Sequence, residues 1–490
     1  MSQNIPKIHS PVPYTLYRAS LVHTPKLGEL EILPDMLVGV DSKGVIDYLE
    51  PASGSSNPQE LPRFKGKQMR YVDLHGTPCQ FLVPGFIDTH IHAPQYPNIG
   101  IGSELPLLKW LEKHTFPLET QFTDENPDKM AFAEEIYTKC IDKSLANGTT
   151  TASYFTTIDG ETTNLFADLL ARHGQRGFVG KSCIDCNPDF PHYEESYEEC
   201  VESMETLIDH CNKLNCGKSD FAVKAIITPR FALSCTRELM TKLGSLAKEH
   251  KLPIQTHISE NKDEIRLVRE TFPECENYAS VYDKHSLLGP STIMAHSIHL
   301  SSDERELFRK SGCSISHCPP SNSFLTSGEA PVHRYLYEDK INVSLGTDLS
   351  GGYEQSILGV ARSAIMVSHH LAMHTENNNV RVSIAEALYM ATMGGARACG
   401  LGDQVGSFAV GKTFDAQLID LDAPGTNVDV FAFQKPNKPE DDDYKEKLVH
   451  LVYRWVFSGD DRNCVRVWCN GRTVVNKENQ WVYIERESKE

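Results

Sequence analysis

Apolar and polar positions change rhythm twice along the chain. Over residues 1–83, short apolar stretches such as Met36-Leu37-Val38-Gly39-Val40 and Gly44-Val45-Ile46-Asp47-Tyr48-Leu49 are separated by Gly- and Pro-containing breaks, among them Pro51-Ala52-Ser53-Gly54-Ser55-Ser56. Apolar runs of this length between turn formers predict short β-strands. Residues 401–490 follow the same pattern, with strand candidates at Phe414-Asp415-Ala416-Gln417-Leu418-Ile419-Asp420-Leu421, Val465-Arg466-Val467-Trp468 and Thr473-Val474-Val475. The polar insert from Gln434 to Glu446, with Glu440-Asp441-Asp442-Asp443, predicts a solvated surface loop. Between these ends, residues 84–400 alternate apolar runs with helical patterns. The runs begin at the boundary with Phe81-Leu82-Val83 and continue with Phe86-Ile87, Thr150-Thr151-Ala152-Ser153-Tyr154-Phe155, Gly177-Phe178-Val179-Gly180, Ala222-Val223-Lys224-Ala225-Ile226-Ile227, Pro253-Ile254-Gln255-Thr256, Thr292-Ile293-Met294-Ala295, Cys313-Ser314-Ile315-Ser316 and Ile341-Asn342-Val343-Ser344-Leu345-Gly346. Helices are predicted over Phe132 to Ala146 and Ser203 to Leu214. Another is predicted from the capping box Asn261-Lys262-Asp263-Glu264 through Arg269.

Strands alternating with helices predict an α/β fold, a parallel (β/α)₈ TIM-like barrel. The two β-rich ends would come together as a second, smaller, discontinuous β-sandwich domain, since chain termini often lie close together. The expected division is 1–83 and 401–490 for the sandwich and 84–400 for the catalytic barrel.

Composition narrows the function. The chain has 490 residues and a formal charge of −18, from 66 acidic and 48 basic residues. Such a surface repels phosphate backbones and anionic lipid, which disfavours nucleic-acid and membrane partners. Apolar content of 40% and charged content of 23% are ordinary for a globular protein. No apolar run has the length of a membrane span. Pro6, Pro11 and Pro13 interrupt an N-terminus that lacks an apolar core, so no secretory signal is expected. Fourteen scattered cysteines suit reduced thiols in the cytoplasm better than a disulfide framework.

The candidate chemistry follows the apolar runs, because a barrel carries its reactive groups at the C-terminal ends of its strands. Phe86-Ile87-Asp88-Thr89 leads into His90-Ile91-His92, whose two imidazoles share a face if the segment is a strand. Thr256 precedes His257, with Glu260 three residues on; Ala295 precedes His296; Gly346-Thr347 precedes Asp348. With twenty histidines, about one His-x-His pair is expected by chance, so that motif alone carries little. Ligand-type residues at four separate strand ends carry more. Imidazoles with a carboxylate suit a divalent metal such as zinc, with a position left for water.

Other motifs fail on context. Gly406-Ser407-Phe408-Ala409-Val410-Gly411-Lys412-Thr413 matches a phosphate loop by letter, yet a strand pattern follows it where a helix is required. Cys183-Ile184-Asp185-Cys186 has no second pair at zinc-finger distance. His374-Thr375-Glu376 begins like a cytidine-deaminase signature but lacks the following Pro-Cys-x-x-Cys. No Gly-x-Ser-x-Gly elbow is present.

Several segments together resemble the metal-dependent amidohydrolase superfamily. They are Pro84-Gly85-Phe86-Ile87-Asp88-Thr89-His90-Ile91-His92, His257, His296, Gly346-Thr347-Asp348, and the closing stretch from Gly411-Lys412 to Asp415-Ala416. Narrower segments resemble the members acting on guanine: His92-Ala93-Pro94-Gln95-Tyr96-Pro97, Trp110-Leu111-Glu112-Lys113-His114-Thr115-Phe116-Pro117, Thr228-Pro229-Arg230-Phe231, His257-Ile258-Ser259-Glu260-Asn261 and Ser316-His317-Cys318-Pro319-Pro320-Ser321-Asn322. The resemblance implies a cytoplasmic homodimer that hydrolyses guanine to xanthine and ammonia with one Zn²⁺ per chain. It implies His90, His92, His257 and Asp348 as metal ligands. Substrate would contact His92, Gln95, Arg230, Phe231, His257, Glu260 and Asp348, and catalysis would fall to Glu260, His296 and Asp348. Arginine only donates hydrogen bonds, so Arg230 suits the O6 acceptor of guanine and opposes the amino group of adenine. Three alternatives stay open: a two-metal cyclic-amide hydrolase using Lys224 as a bridging carbamate, a deaminase of other rings, and a non-catalytic scaffold.

Overall fold

A computed structural model of the protein describes residues 11–52, 61–65, 68–74, 78–188, 190–215, 222–439 and 441–477. Residues 53–56 of the expected N-terminal loop, and Glu440 of the acidic insert, lie outside the described residues.

The first change of rhythm is a change of sheet. Strands β1 (Thr15–Lys26), β2 (Glu29–Val40), β3 (Ile46–Pro51), β4 (Arg70–Asp73) and β5 (Gln80–Pro84) are followed by eight strands of a different kind. These are β6 (Phe86–His92), β7 (Thr149–Phe155), β8 (Arg176–Gly180), β9 (Val223–Ala225), β10 (Ile254–Ile258), β11 (Thr292–His296), β12 (Ser314–His317) and β13 (Asn342–Leu345). The chain ends with β14 (Ala416–Asp420), β15 (Cys464–Cys469) and β16 (Arg472–Asn476).

The two ends of the sequence meet in one eight-stranded sheet of order β16-β15-β14-β5-β1-β2-β3, with β4 beside β1. Their junction is the antiparallel pair β14–β5, which sets Leu418 opposite Leu82 and Gln417 opposite Val83. Side chains from both ends share one apolar cluster, in which Tyr17 stacks on Phe414 at 4.8 Å and meets the Trp468 edge at 5.5 Å.

The middle strands pair only in parallel, as β6-β7-β8-β9 and β10-β11-β12-β13. An isolated parallel bridge, Ile227 with Ile254, links the two sheets just beyond β9. At the other edges, the Thr89 hydroxyl donates to the Leu345 carbonyl at 2.9 Å and Asp348 N donates to His90 O at 2.8 Å. Every residue of β6, β7, β8, β11 and β12 is buried, as parallel strands covered on both faces require.

The helices expected at Phe132 and Ser203 extend further, over Lys129–Ala146 and Tyr197–Leu214. The second starts earlier because Ser196 and Glu199 form a capping box. The Asn261 capping box forms as expected and opens the helix Lys262–Thr271.

The acidic insert is only partly loop. A helix, Tyr444–Ser458, starts inside it and occupies ground where the sequence pattern indicated strands and loop. Leu448, Leu451, Val452, Trp455 and Val456 recur at helical spacing and are buried. Trp455 stacks on Phe86 at 5.8 Å and meets Phe81 edge-on at 5.9 Å, so this helix clamps the β5–β6 junction.

Candidate active site

His90, His92, His257, His296 and Asp348 come together at the C-terminal ends of the parallel strands. His90 and His92 share a face of β6, His257 lies in β10, His296 ends β11, and Asp348 follows β13 by three residues. One ligand atom from each of His90, His92, His257 and Asp348 falls within 4.8 Å of the others. His90 Nε2 lies 3.1 Å and His92 Nε2 3.4 Å from Asp348 Oδ1, and His92 Nε2 lies 3.2 Å from His257 Nε2.

Neighbouring groups orient these rings. His257 Nδ1 donates to Arg230 O at 2.6 Å, which turns the bare Nε2 toward the cluster. Asp88, fully buried, accepts from Thr347 Oγ1 at 2.6 Å, Thr347 N at 3.1 Å and His90 N at 3.1 Å. It thereby ties β6 to the turn carrying Asp348, and burial pushes its own carboxyl up to about 7. A Cβ on Gly346 would sit 2.7 Å from that of His90 and 2.6 Å from Ser316 Oγ, so the backbone there passes where only glycine fits. Ser259, His296 and Asp348 hold φ of +49°, +66° and +46°. Such left-handed conformations in non-glycine residues gather at functional sites.

Burial lowers the basicity of His90, and of His92 and His257 well below the ordinary histidine range, with neighbouring imidazoles adding to the effect for the latter two. The lowered basicity favours the neutral form, the form in which histidine binds a metal. Burial opposes ionisation of Asp348, but His90, His296 and His92 override it and hold the carboxyl well below its usual range. His90 Nε2 and His92 Nδ1 are buried without a hydrogen-bond partner among the described residues. The close contact between two neutral imidazole nitrogens needs a proton or a cation between them. Three imidazoles, a carboxylate and an unsatisfied buried nitrogen therefore fit a divalent metal ion.

Above the cluster lies a pocket walled by Trp110, Leu107, Leu111 and Leu325 on its apolar side. Its polar wall holds Gln95, Arg230, Glu260 and His296, with His92, His257 and Asp348 at the base and half-buried Phe231 at the side. Every expected site residue thus meets this pocket except His90, which lies in the cluster beneath. His296 Nδ1 donates to Asn322 Oδ1 at 2.9 Å, leaving Nε2 at 3.3 Å from Glu260 and 3.8 Å from Asp348. Burial works against protonation of His296, but those two carboxyls prevail and raise its pKa. Burial raises the Glu260 carboxyl to about 7, with Asp348 and Glu264 adding to the effect, while Ser327 Oγ donates to it at 3.1 Å. Glu264 caps its own helix by accepting from Glu260 N at 3.0 Å and Asn261 N at 3.2 Å, so the helix start fixes where Glu260 stands.

Four contributors were not foreseen in the sequence: Asp88, Asn322, Ser327 and Glu119, whose carboxylate accepts from Gln95 Nε2 and Arg230 Nη1 at 2.8 Å each. Asp88 and Asn322 sit inside segments already singled out. Glu119 lies two residues beyond the Trp110-to-Pro117 segment, and Ser327 had no signal.

The unused motifs are structural. Lys412 donates to the Gly402 and Val405 carbonyls at 2.7 and 2.9 Å, and a strand follows the false phosphate loop. His374 ends a helix, exposed, 3.4 Å from Glu329. Cys183 is buried and Cys186 partly so. Lys224 donates to Lys251 O at 3.4 Å and does not line the pocket.

The model of the amidohydrolase family matches residues 81–474, and the chain belongs to that family. Among curated relatives, the probable guanine deaminase of Schizosaccharomyces pombe is 47% identical over 463 residues, covering 94% of this chain and 83% of its own. The guanine deaminase of Homo sapiens is 41% identical over 460 residues, covering 94% of this chain and 96% of its own. A solved guanine deaminase from C. acetobutylicum with bound guanine in the active site superposes with a TM-score of 0.80 at 33% identity, over 94% of this chain and 99% of that one.

Proposed function

We propose that this chain hydrolyses guanine to xanthine and ammonia, with one zinc ion per chain held by His90, His92, His257 and Asp348. The observation that carries this reading is that residues of that four-ligand cluster and a buried arginine line one partly apolar pocket. Identity of 41–47% to the two guanine deaminases over nearly the whole chain supports the substrate. When bound, the metal lowers the pKa of a coordinated water from 15.7 to about 7.

The residues then divide the proton work. Glu260, carrying a proton near neutral pH, gives it to ring N3, which makes C2 electrophilic. Asp348 takes a proton from the attacking water and passes it to the departing 2-amino group. His296 Nε2 faces both carboxyls and donates to the oxygen as it bonds to C2. Water adds across the C2=N3 bond, and the bond from C2 to the amino nitrogen then breaks. One water proton leaves with ammonia by way of Asp348, and the other, left on the C2 hydroxyl, returns to Glu260 as the carbonyl forms, so atoms and protons balance with no further reactant. Arg230 donates to O6, Gln95 borders the same edge, and Phe231 offers a stacking face.

We further take residues 84–400 as a closed (β/α)₈ barrel, supported by the parallel pairing and by the hydrogen bonds joining the edges of its two sheets. Residues 1–83 and 401–490 then form one smaller β domain, supported by the β14–β5 pairing. The cytoplasmic location and the homodimer rest on the family resemblance. Among the described residues no helix is long and apolar enough to cross a membrane.

The test is ultraviolet detection of xanthine formed from guanine, combined with metal analysis. One zinc per chain, activity lost on chelation and restored by zinc is expected. Two metals per chain, or no xanthine from metal-replete protein, would refute the reading.

A further inference from the structure

Glu119 carries no function in the scheme above, yet it is the most deeply placed acid beside the pocket. It ends the short helix Phe116–Glu119 and is 0% exposed. A bare carboxylate at such a depth is strongly disfavoured unless it is paired and hydrogen-bonded. Its two oxygens divide between two pocket residues. Oε1 accepts from Gln95 Nε2 at 2.8 Å, and Oε2 accepts from Arg230 Nη1 at 2.8 Å. The Phe116 ring lies 5.4 Å from the Arg230 guanidinium carbon and supports the fork from its face.

The consequence is polarity. A carboxylate only accepts, so the Gln95 amide must present its nitrogen to Glu119. Its oxygen then faces the other way, 3.4 Å from Ser350 N. One donor of Arg230 is likewise committed, and the remaining fork is held at the pocket wall. An acceptor on Gln95 and donors on Arg230 match a ring edge with N–H beside C=O. They oppose an edge with a bare ring nitrogen beside an amino group.

We propose that Glu119 is the positioning residue that sets substrate specificity, by locking the orientation of the Gln95 amide and the Arg230 guanidinium so that the pocket accepts 6-oxo purines and rejects 6-amino purines. The proposal rests on the guanine reading above. Glu119→Gln keeps the side-chain volume but replaces one of the two accepting oxygens by an NH₂ group that only donates, so the contacts to Gln95 and Arg230 cannot both be accepted as they are now. Discrimination at such a site comes from fixed buried groups that the wrong ring leaves unpaired, and an amide or guanidinium free to reorient no longer imposes that penalty.

The probes are guanine and 2,6-diaminopurine, which keeps the 2-amino group but replaces the 6-oxo edge. For Glu119→Gln, KM for guanine is expected to rise about tenfold or more, with a smaller change in kcat, and the preference for guanine over 2,6-diaminopurine to fall by a similar factor. Glu119→Asp, which keeps the charge, should retain most of the preference. Zinc content should stay near wild type, whereas the melting temperature of Glu119→Gln is expected to fall, because the buried Arg230 guanidinium loses its counter-charge. An unchanged preference in Glu119→Gln overturns the proposal, as does an equal loss on both purines, with or without lost zinc. Wild-type protein that fails to turn over guanine is a failure of the functional reading alone. Equilibrium binding of the two purines to the zinc-loaded variants then still measures the preference.

Discussion

Burial holds the Glu260 carboxyl at about 7, well above the roughly 4.3 of a solvated glutamate. The same burial lowers the basicity of three metal-facing histidines, whereas the Asp348 carboxyl, with burial working against it, is held low by His90, His296 and His92. The two carboxyls are thus shifted in opposite directions, which suits the proposed division in which Glu260 gives a proton and Asp348 takes one. Glu260→Gln should keep its zinc and lose about 10²-fold or more in kcat, because an amide has no proton to give. Retention of wild-type turnover would remove Glu260 from the mechanism. The stability effect has a definite sign. The folded state binds the Glu260 proton more tightly than the unfolded chain, so stability falls as pH rises from about 4 through about 7 and then levels off. Calorimetry of metal-free protein should show that this part of the slope is missing in Glu260→Gln.

Local sequence places several of these residues at the level of the element. The Asn261 box starts a helix whose Glu264 holds the Glu260 backbone, and period-2 spacing puts His90 and His92 on one face. The helix Tyr444–Ser458 is the opposite case. Its 3.6-residue spacing was present in the sequence, but the acidic run before it and the strands around it suggested a loop. Trp455 anchors it between Phe81 and Phe86, one residue on either side of the β5–β6 junction region that leads into the histidine strand. Trp455→Ala should destabilise the protein by about 3–5 kcal/mol, the usual cost of deleting a buried large aromatic. Chemical denaturation checks this, and a change below about 1 kcal/mol would show that the clamp is not a stabilising contact.

Across the whole molecule, the strand sheet of the chain ends and the parallel strands are joined by a buried charge. Arg176 in β8 pairs with Asp415, just before β14, and both side chains are 2% exposed. Asp415 also accepts from Asn470 N at 2.9 Å. Asp415→Ala leaves the buried guanidinium without its counter-charge, and removing one partner of such a pair costs about 3–5 kcal/mol. A single cooperative unfolding transition should therefore move to lower temperature or split into two. Scanning calorimetry distinguishes these from an unchanged transition, which would show that the pair does not couple the two regions.

The sequence by itself determined which residues could do the chemistry and the local geometry that presents them. His90-x-His92, the helix cap after Glu260, and ligand types following apolar runs depend on side-chain chemistry and on backbone periods of two and 3.6 residues, which are short-range properties. Only the tertiary structure decided that Glu119 touches both Gln95 and Arg230, that Asn322 orients His296, that Ser327 bonds Glu260, and that Asp415 pairs with Arg176. Those partners lie 24 to 239 positions apart. Nothing in a local pattern marks a glutamate or an asparagine as the partner of a distant residue. Their roles arise when folding removes water and leaves each buried polar group to be satisfied by whatever the packed chain brings beside it.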